Sequence, residues 1–299
     1  MKTALKTIVL PSLWAVAIEK LHAYWLLSKP RVTLLVWLST AAGLMLGASA
    51  YSLSAGLILA TLVGSWLVVA SANAFNQVIE WRSDAQMERT ALRPIPAGQV
   101  SAWEGWLVGM VWGLLGVLVL ALLVNGLVAL LGVLSIGLYA FAYTPLKRHT
   151  PFCTVVGAIP GAVPPMAGWV AATGHFAPPA LLLFALQFVW QFPHLWAIAW
   201  FNRDDYRKVG IRLLPSQKPE RVAQLILLTT VTLIGVSLLI LPFVSTPLPY
   251  LLGALGLGVW HLHFSLRFYR VPDKQHARGV LLASVLYLPL LLLLLLLTH

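Results

Sequence analysis

The sequence predicts an all-α integral membrane protein: nine transmembrane helices in a single domain spanning 1–299, with the N-terminus in the cytoplasm. Composition points to the class. Of 299 residues, 60% are hydrophobic and 10% charged, and the mean hydropathy is +0.86, whereas soluble domains carry roughly 25% charged residues. Apolar runs set the count, because a helix needs about 20 apolar residues to cross a bilayer. Such runs occupy 32–50, 55–79, 104–124, 126–144, 153–173, 178–201, 222–243, 248–268 and 279–298. Charge sets the orientation. Of the 20 lysines and arginines, all but Arg267, near the end of the eighth run, fall before the first run or in the loops after the second, fourth, sixth and eighth, and the opposite loops, around Ala50, Asn125, Gly174 and Thr246, hold none. Cationic loops stay on the cytoplasmic side, so nine spans place His299 outside. The formal charge of +11 is therefore a topology signal and not a nucleic-acid-binding surface. Lys2, Lys6, Arg267, Arg270 and Lys274 suit the headgroups of membrane lipids.

The first 28 residues begin like a signal sequence, but their apolar stretch 8–18 is short and broken by Pro11. That pattern predicts an interfacial amphipathic segment and not a cleaved leader. The second span runs into Asn73-Ala-Phe-Asn-Gln-Val-Ile-Glu80 and then Asp84. If the helix continues, Asn76, Glu80 and Asp84 stack at i, i+4 and i+8 on one face. Oxygen donors so spaced suit Mg²⁺, which binds a few carboxylates together with phosphate oxygens. Arg89 and Arg93 follow, and guanidinium forks match phosphate. The competing reading has these acids capping the span and pairing with Arg82, Arg89 or Arg93, contacts worth little when exposed. The depth of Asn76 and Glu80 near the membrane boundary favours function. Residues 80–103 form the first cytoplasmic cap loop.

The fourth span ends in Tyr143-Thr-Pro-Leu-Lys147-Arg148. Tyr143 is either an interfacial anchor beside topology-setting cations, or a hydroxyl that reaches the same diphosphate with Lys147. Span five holds Pro160, Gly161, Pro164, Pro165 and Gly168, which predicts an interrupted helix beside a cavity. Close packing through small residues is compatible with that. In span six, Gln191 and His194 flank Pro193 within an apolar run, and intramembrane polar groups mark function by default. Gln191 lies one turn from His194 on a similar face, and the competing reading makes His194 a hydrogen-bonded core histidine. The second cap loop, 202–221, carries Asp204 and Asp205, which either serve a second Mg²⁺ or cap a helix and pair with Arg203 and Arg207. His261 and His263 lie near the cytoplasmic end of span eight. Cys153 is the only cysteine, which excludes an intrachain disulfide and a cysteine-based metal cluster.

Taken together, these segments resemble the UbiA superfamily of intramembrane prenyltransferases, and within it the haem branch. The resemblance runs from Ser28-Lys29-Pro30-Arg31 to about Pro215. It includes Met87-Glu-Arg89-Thr90, Arg93-Pro94, Gly161-Ala-Val-Pro164-Pro165-Met-Ala-Gly168-Trp169, Pro193-His194 and Asp204-Asp205-Tyr206-Arg207. It implies a nine-helix UbiA-like bundle around a lipid-open cavity, in a bacterial cytoplasmic (inner) membrane, with the active site on the cytoplasmic side. The implied activity is transfer of a farnesyl group from farnesyl diphosphate to a vinyl group of haem b (protohaem IX), giving haem O. Metal roles fall on Asn76, Glu80, Asp84, Asp204 and Asp205, with Mg²⁺ as cofactor. Diphosphate contacts fall on Arg89, Arg93, Tyr143, Lys147 and Arg148, haem positioning falls on His194 and Gln191 with His261 and His263 as rivals outside the matched motifs, and a downstream haem A synthase is a candidate partner. Arg82, Glu80 and Arg203 depart from the branch's usual residues. Two alternatives stand beside this reading: prenylation of a quinone precursor or other aromatic acceptor, and a membrane transporter or haem-binding protein.

Overall fold

The computed structural model describes residues 13–48 and 52–299, and the described residues contain helices and no strand. The helices are α1 (Leu13–Leu27), α2 (Pro30–Ala48), α3 (Ala55–Asp84), α4 (Ala102–Leu123), α5 (Gly126–Leu146), α6 (Cys153–Thr173), α7 (Pro178–Phe201), α8 (Arg203–Lys208), α9 (Pro219–Leu238), α10 (Pro247–Arg270) and α11 (Lys274–Thr298). Eight of them are long and apolar enough to cross a membrane: this is an integral membrane protein. The ninth expected span, 248–268, is helical within α10 but is not among the eight, its apolar character lowered by His261, His263 and Arg267.

Small residues let these helices approach. Gly105, Gly109, Gly113 and Gly116 line the face of α4 against α3, and a Cβ at Gly116 would lie 2.9 Å from the Val68 nitrogen. The crossing of α2 and α6 is tighter still: a Cβ at Gly168 would sit 2.0 Å from the Thr40 carbonyl oxygen. Close backbone contact of this kind replaces the hydrophobic driving force that lipid cannot supply. α6 packs against α2, α5 and α7, and α11 closes the ring against α7 and α2.

Two expectations are corrected. Span five is unbroken over Cys153–Thr173 despite Pro160, Pro164 and Pro165. Pro165 has no N–H for the Gly161 carbonyl, and the Gln187 side chain on α7 supplies the missing donor at 2.7 Å. The loop expected from residue 80 starts later, because α3 runs 30 residues to Asp84, about 45 Å of helix. Residues 1–12 of the expected interfacial segment lie outside the described residues. Its remainder, α1, buries Ala23 and Leu27 and exposes Trp14, Ile18, Leu21 and Trp25, one apolar stripe at helical spacing.

Candidate active site

The far end of α3 carries a buried polar face: Asn73, Asn76, Gln77, Glu80 and Asp84 are all inaccessible or nearly so. Buried polar groups need partners, and three of these five meet a basic side chain. The Lys147 ammonium donates to both oxygens of Glu80, at 3.0 and 3.1 Å. Asn76 Nδ2 donates to Glu80 Oε2 at 2.8 Å and to the Thr144 hydroxyl at 3.0 Å. Arg93 Nη1 donates to Asp84 Oδ2 at 2.6 Å. Lys29, in the turn between α1 and α2, donates to Asn76 Oδ1 at 2.7 Å. Three oxygen-bearing groups one turn apart are thus each met by a basic side chain.

The last two turns of α5 complete the wall. Gly137–Tyr143 forms a π-helical stretch, with the Thr144 N–H bonding the Tyr139 carbonyl five residues back. Such wide turns recur at functional sites, and this one accompanies the placing of both Tyr139 and Tyr143 in the cleft. Lys147 lies 4.5 Å from the Tyr143 ring centre, and its carbonyl accepts from the Arg212 N–H at 2.6 Å, which ties the segment after α8 to the wall. Arg89 reaches Tyr206 Oη of α8 at 3.3 Å. These residues line a cleft of about 130 Å³.

Charge in the cleft is unevenly satisfied. Burial alone would lower the Lys147 pKa, but the Glu80 carboxylate overrides it and holds the value above the usual lysine range. Lys29 is pushed the other way, well below that range, by burial first and then by Arg93 and Lys147. An anion entering here would relieve that crowding.

The donor set fits a hard divalent cation in part. Asn76 Oδ1 and the carboxylates of Glu80 and Asp84 are oxygen donors on one helix face, each already contacted by a basic side chain, and such donors suit Mg²⁺. Among the described residues, no group of three His, Cys, Asp or Glu side chains gathers in metal-binding geometry. The structure does not bring Asp204 and Asp205 into this cleft. Asp204 is exposed, 3.9 Å from Arg203, and lines a separate depression with Arg203 and Arg207. Asp205 accepts from Lys208 at 3.0 Å. Arg148 is also outside the cleft, donating to the Ser83 hydroxyl at 3.1 Å.

Gln191 and His194 do not share a target, which corrects the expectation of a common face. Gln191 Nε2 donates to the Ala158 carbonyl of α6 at 2.8 Å, while His194 Nδ1 meets the Ser284 hydroxyl of α11 at 2.8 Å and stacks on Trp190. Residues three apart diverge when the helices on either side compete for them. His194 also lines an apolar groove among α2, α7 and α11, with Leu35, Ser39 and Pro289. His261 is fully buried on α10, with neither ring nitrogen hydrogen-bonded.

The sequence left Lys29, Tyr139, Thr144 and Tyr206 without roles. Lys29 reads as one more cation before a span, and only its place beside Pro30 at the membrane edge sets it apart. Tyr139 matters because it also lines an apolar cavity of about 120 Å³ deeper in the bundle, between α2, α3, α5 and α6.

Residues 36–297 match the UbiA prenyltransferase family. The chain belongs to that family. Its UbiA relatives include the protoheme IX farnesyltransferase of Solibacter usitatus, 39% identical over 275 residues, which cover 89% of this chain and 94% of that protein. Another is the protoheme IX farnesyltransferase of Koribacter versatilis, 40% identical over 287 residues and 91% of each chain. The fold matches digeranylgeranylglyceryl phosphate synthase with a TM-score of 0.78 at 17% identity, covering 94% of this chain and 98% of that one. A UbiA homolog from Archaeoglobus fulgidus bound to GPP and Mg²⁺ superposes with a TM-score of 0.66 at 15% identity, over 91% and 99% of the two chains.

Proposed function

We propose that this UbiA protein transfers the farnesyl group of farnesyl diphosphate to a vinyl group of protohaem IX, with water addition, giving haem O and pyrophosphate. The observation that carries the reading is the cleft itself. Oxygen donors and basic side chains are interleaved at one end of α3, and Tyr139 stands between them and an apolar cavity. A substrate with a diphosphate head and an isoprenoid tail matches both halves. The acceptor comes from the relatives, whose names specify protohaem IX.

In the reaction the bond between C1 of the farnesyl chain and the diphosphate oxygen breaks, and its electron pair leaves with the diphosphate. The vinyl π electrons bond to C1, and water adds to the vinyl carbon next to the ring while its proton leaves. Lys29, Arg89, Arg93 and Lys147 face the developing charge of the leaving group, and fixed cations stabilise it without reorganisation. The rings of Tyr139 and Tyr143 line the cleft, where aromatic faces would favour allylic-cation character at C1. The apolar walls exclude water from that carbon. Mg²⁺ held by Asn76, Glu80 and Asp84 would neutralise the departing diphosphate. A second Mg²⁺ is assigned to Asp204 and Asp205, on the short helix whose Tyr206 meets Arg89. His194 is assigned to position the haem from its groove. The N-terminus and the cleft are placed on the cytoplasmic side of a bacterial inner membrane, in keeping with the distribution of lysine and arginine. Incubating purified protein with haem b, farnesyl diphosphate and Mg²⁺ should yield haem O by chromatography and mass spectrometry. Prenylation of a quinone precursor in its place would overturn the acceptor.

A further inference from the structure

Glycines aside, Lys29 is the one described residue with a positive φ, +51°, a conformation that side chains bearing a Cβ rarely adopt. The cause lies on α3. Gln77 Nε2 donates to the Leu27 carbonyl at 2.7 Å, and Asn73 Nδ2 donates to the Ser28 carbonyl at 3.1 Å. Thr33 donates its hydroxyl to the same Ser28 carbonyl and accepts from Asn73. All of these groups except Leu27 are polar and buried, so the turn between α1 and α2 is clamped from below. The clamp sets the Lys29 ammonium on Asn76 Oδ1. Asn76 Nδ2 is already committed to Glu80 and Thr144, leaving Oδ1 as the atom that the residue can offer a cation.

We propose that Lys29 is an exchangeable occupant of the metal seat. With the cleft empty, its ammonium covers Asn76 Oδ1; when a divalent cation arrives with a diphosphate, Lys29 moves off that oxygen onto a diphosphate oxygen. This rests on the metal–diphosphate reading of the cleft. The destination follows from what is already taken: Glu80 is held by Lys147 and Asp84 by Arg93. A displaced ammonium therefore finds a partner only in an incoming anion. Its four-carbon stem allows the swing. Metal alone must expel a buried cation that has nowhere to go, whereas metal with diphosphate supplies the place. The two ligands then bind cooperatively through Lys29, and the coupling is reciprocal.

The test uses the full chain in detergent, with Mn²⁺ as the probe cation. Free Mn²⁺ is read by electron paramagnetic resonance, with and without inorganic pyrophosphate, against a protein-free blank. The unchanged protein should bind Mn²⁺ weakly alone and more tightly with pyrophosphate. Lys29→Met should bind Mn²⁺ alone about tenfold more tightly and lose about tenfold of the pyrophosphate enhancement, within the usual range of coupling between sites. Lys29→Gly, which tolerates the positive φ, should behave in the same way, and Lys29→Arg should restore the enhancement. Unaltered Mn²⁺ affinity and enhancement in both Lys29→Met and Lys29→Gly would overturn the inference and leave the proposed function standing. If the unchanged protein takes up no Mn²⁺ even with pyrophosphate, the metal–diphosphate reading fails first, and this inference fails with it.

Discussion

Replacing Glu80 by Gln should cost both activity and stability, for separable reasons. The substitution keeps the side chain's size and removes the charge that Lys147 faces from 3.0 and 3.1 Å. Both side chains are only 11% exposed, so the ammonium left behind is a buried, unpaired charge. Breaking such a pair from one side costs about 3–5 kcal/mol. Adding Lys147→Met removes the stranded charge, and the double variant should return to within about 1 kcal/mol of the parent. The assay is the thermal midpoint in detergent, followed by retention of monodisperse protein, beside haem O formation in bilayers. Activity should be absent from both single variants and the double. A pH series adds a second readout. In the parent the Lys147 pKa is raised by Glu80, so its contribution is fully present below the unfolded value of about 10.4 and is lost only as pH rises through the higher folded value. The parent midpoint should therefore be flat through neutrality on this account. In Glu80→Gln the charge that chiefly opposes burial is gone, and the folded pKa should fall below the unfolded one. The unfolded state then binds more protons, and stability should climb as pH rises towards that value. A Glu80→Gln midpoint that neither recovers with pH nor with Lys147→Met would refute the pairing argument.

Other consequences can be checked separately. Gly168→Ala drives a Cβ to 2.0 Å from the Thr40 carbonyl oxygen and should abolish monodisperse protein, whereas Gly256→Ala, with nothing within 4 Å, should be silent. Asp204→Asn with Asp205→Asn should lose a second bound Mn²⁺ and retain the first; an unchanged metal count would remove both residues from the metal assignment. His194→Ala should raise the haem concentration needed for turnover and leave the farnesyl diphosphate dependence alone. Gln191→Leu, which removes the clamp on the Ala158 carbonyl, should lower the thermal midpoint with little effect on haem dependence. In a Cys153→Ser background, cysteines at Gly174 or Ser245 should react with an impermeant thiol reagent outside intact cells, and cysteines at Gln86 or Gln217 should not. The reverse labelling would invert the orientation.

What the sequence disclosed is what depends on local periodicity. Asn76, Glu80 and Asp84 stack as their four-residue spacing requires, because helical register is a property of one segment. Lys147 and Tyr143 were legible as the polar end of an apolar run. Lys29 was not, since its role comes from a turn bent by amides on another helix. The continuity of α6 was hidden for the same reason: three prolines argue for a break, and the donor that mends it belongs to Gln187 on α7. Gln191 and His194 fall on similar angular positions, yet α6 claims one and α11 the other. Which neighbour wins is settled by packing across the bundle, beyond the reach of spacing.

α3 outlasts the bilayer, and its last turns therefore work as a depth gauge. A hydrocarbon core is about 30 Å thick, so a helix of 30 residues carries its polar end to the level of the lipid headgroups. A prenyl diphosphate dissolved in the leaflet already floats its head at that height, with its tail among acyl chains. Under the proposed function, loading the cleft would be a sideways displacement at constant depth. A tail passing from lipid to the cavity beyond Tyr139 without meeting water would spare about 0.8 kcal/mol for each methylene that never becomes wet. The membrane does part of the aligning before the protein touches its substrate.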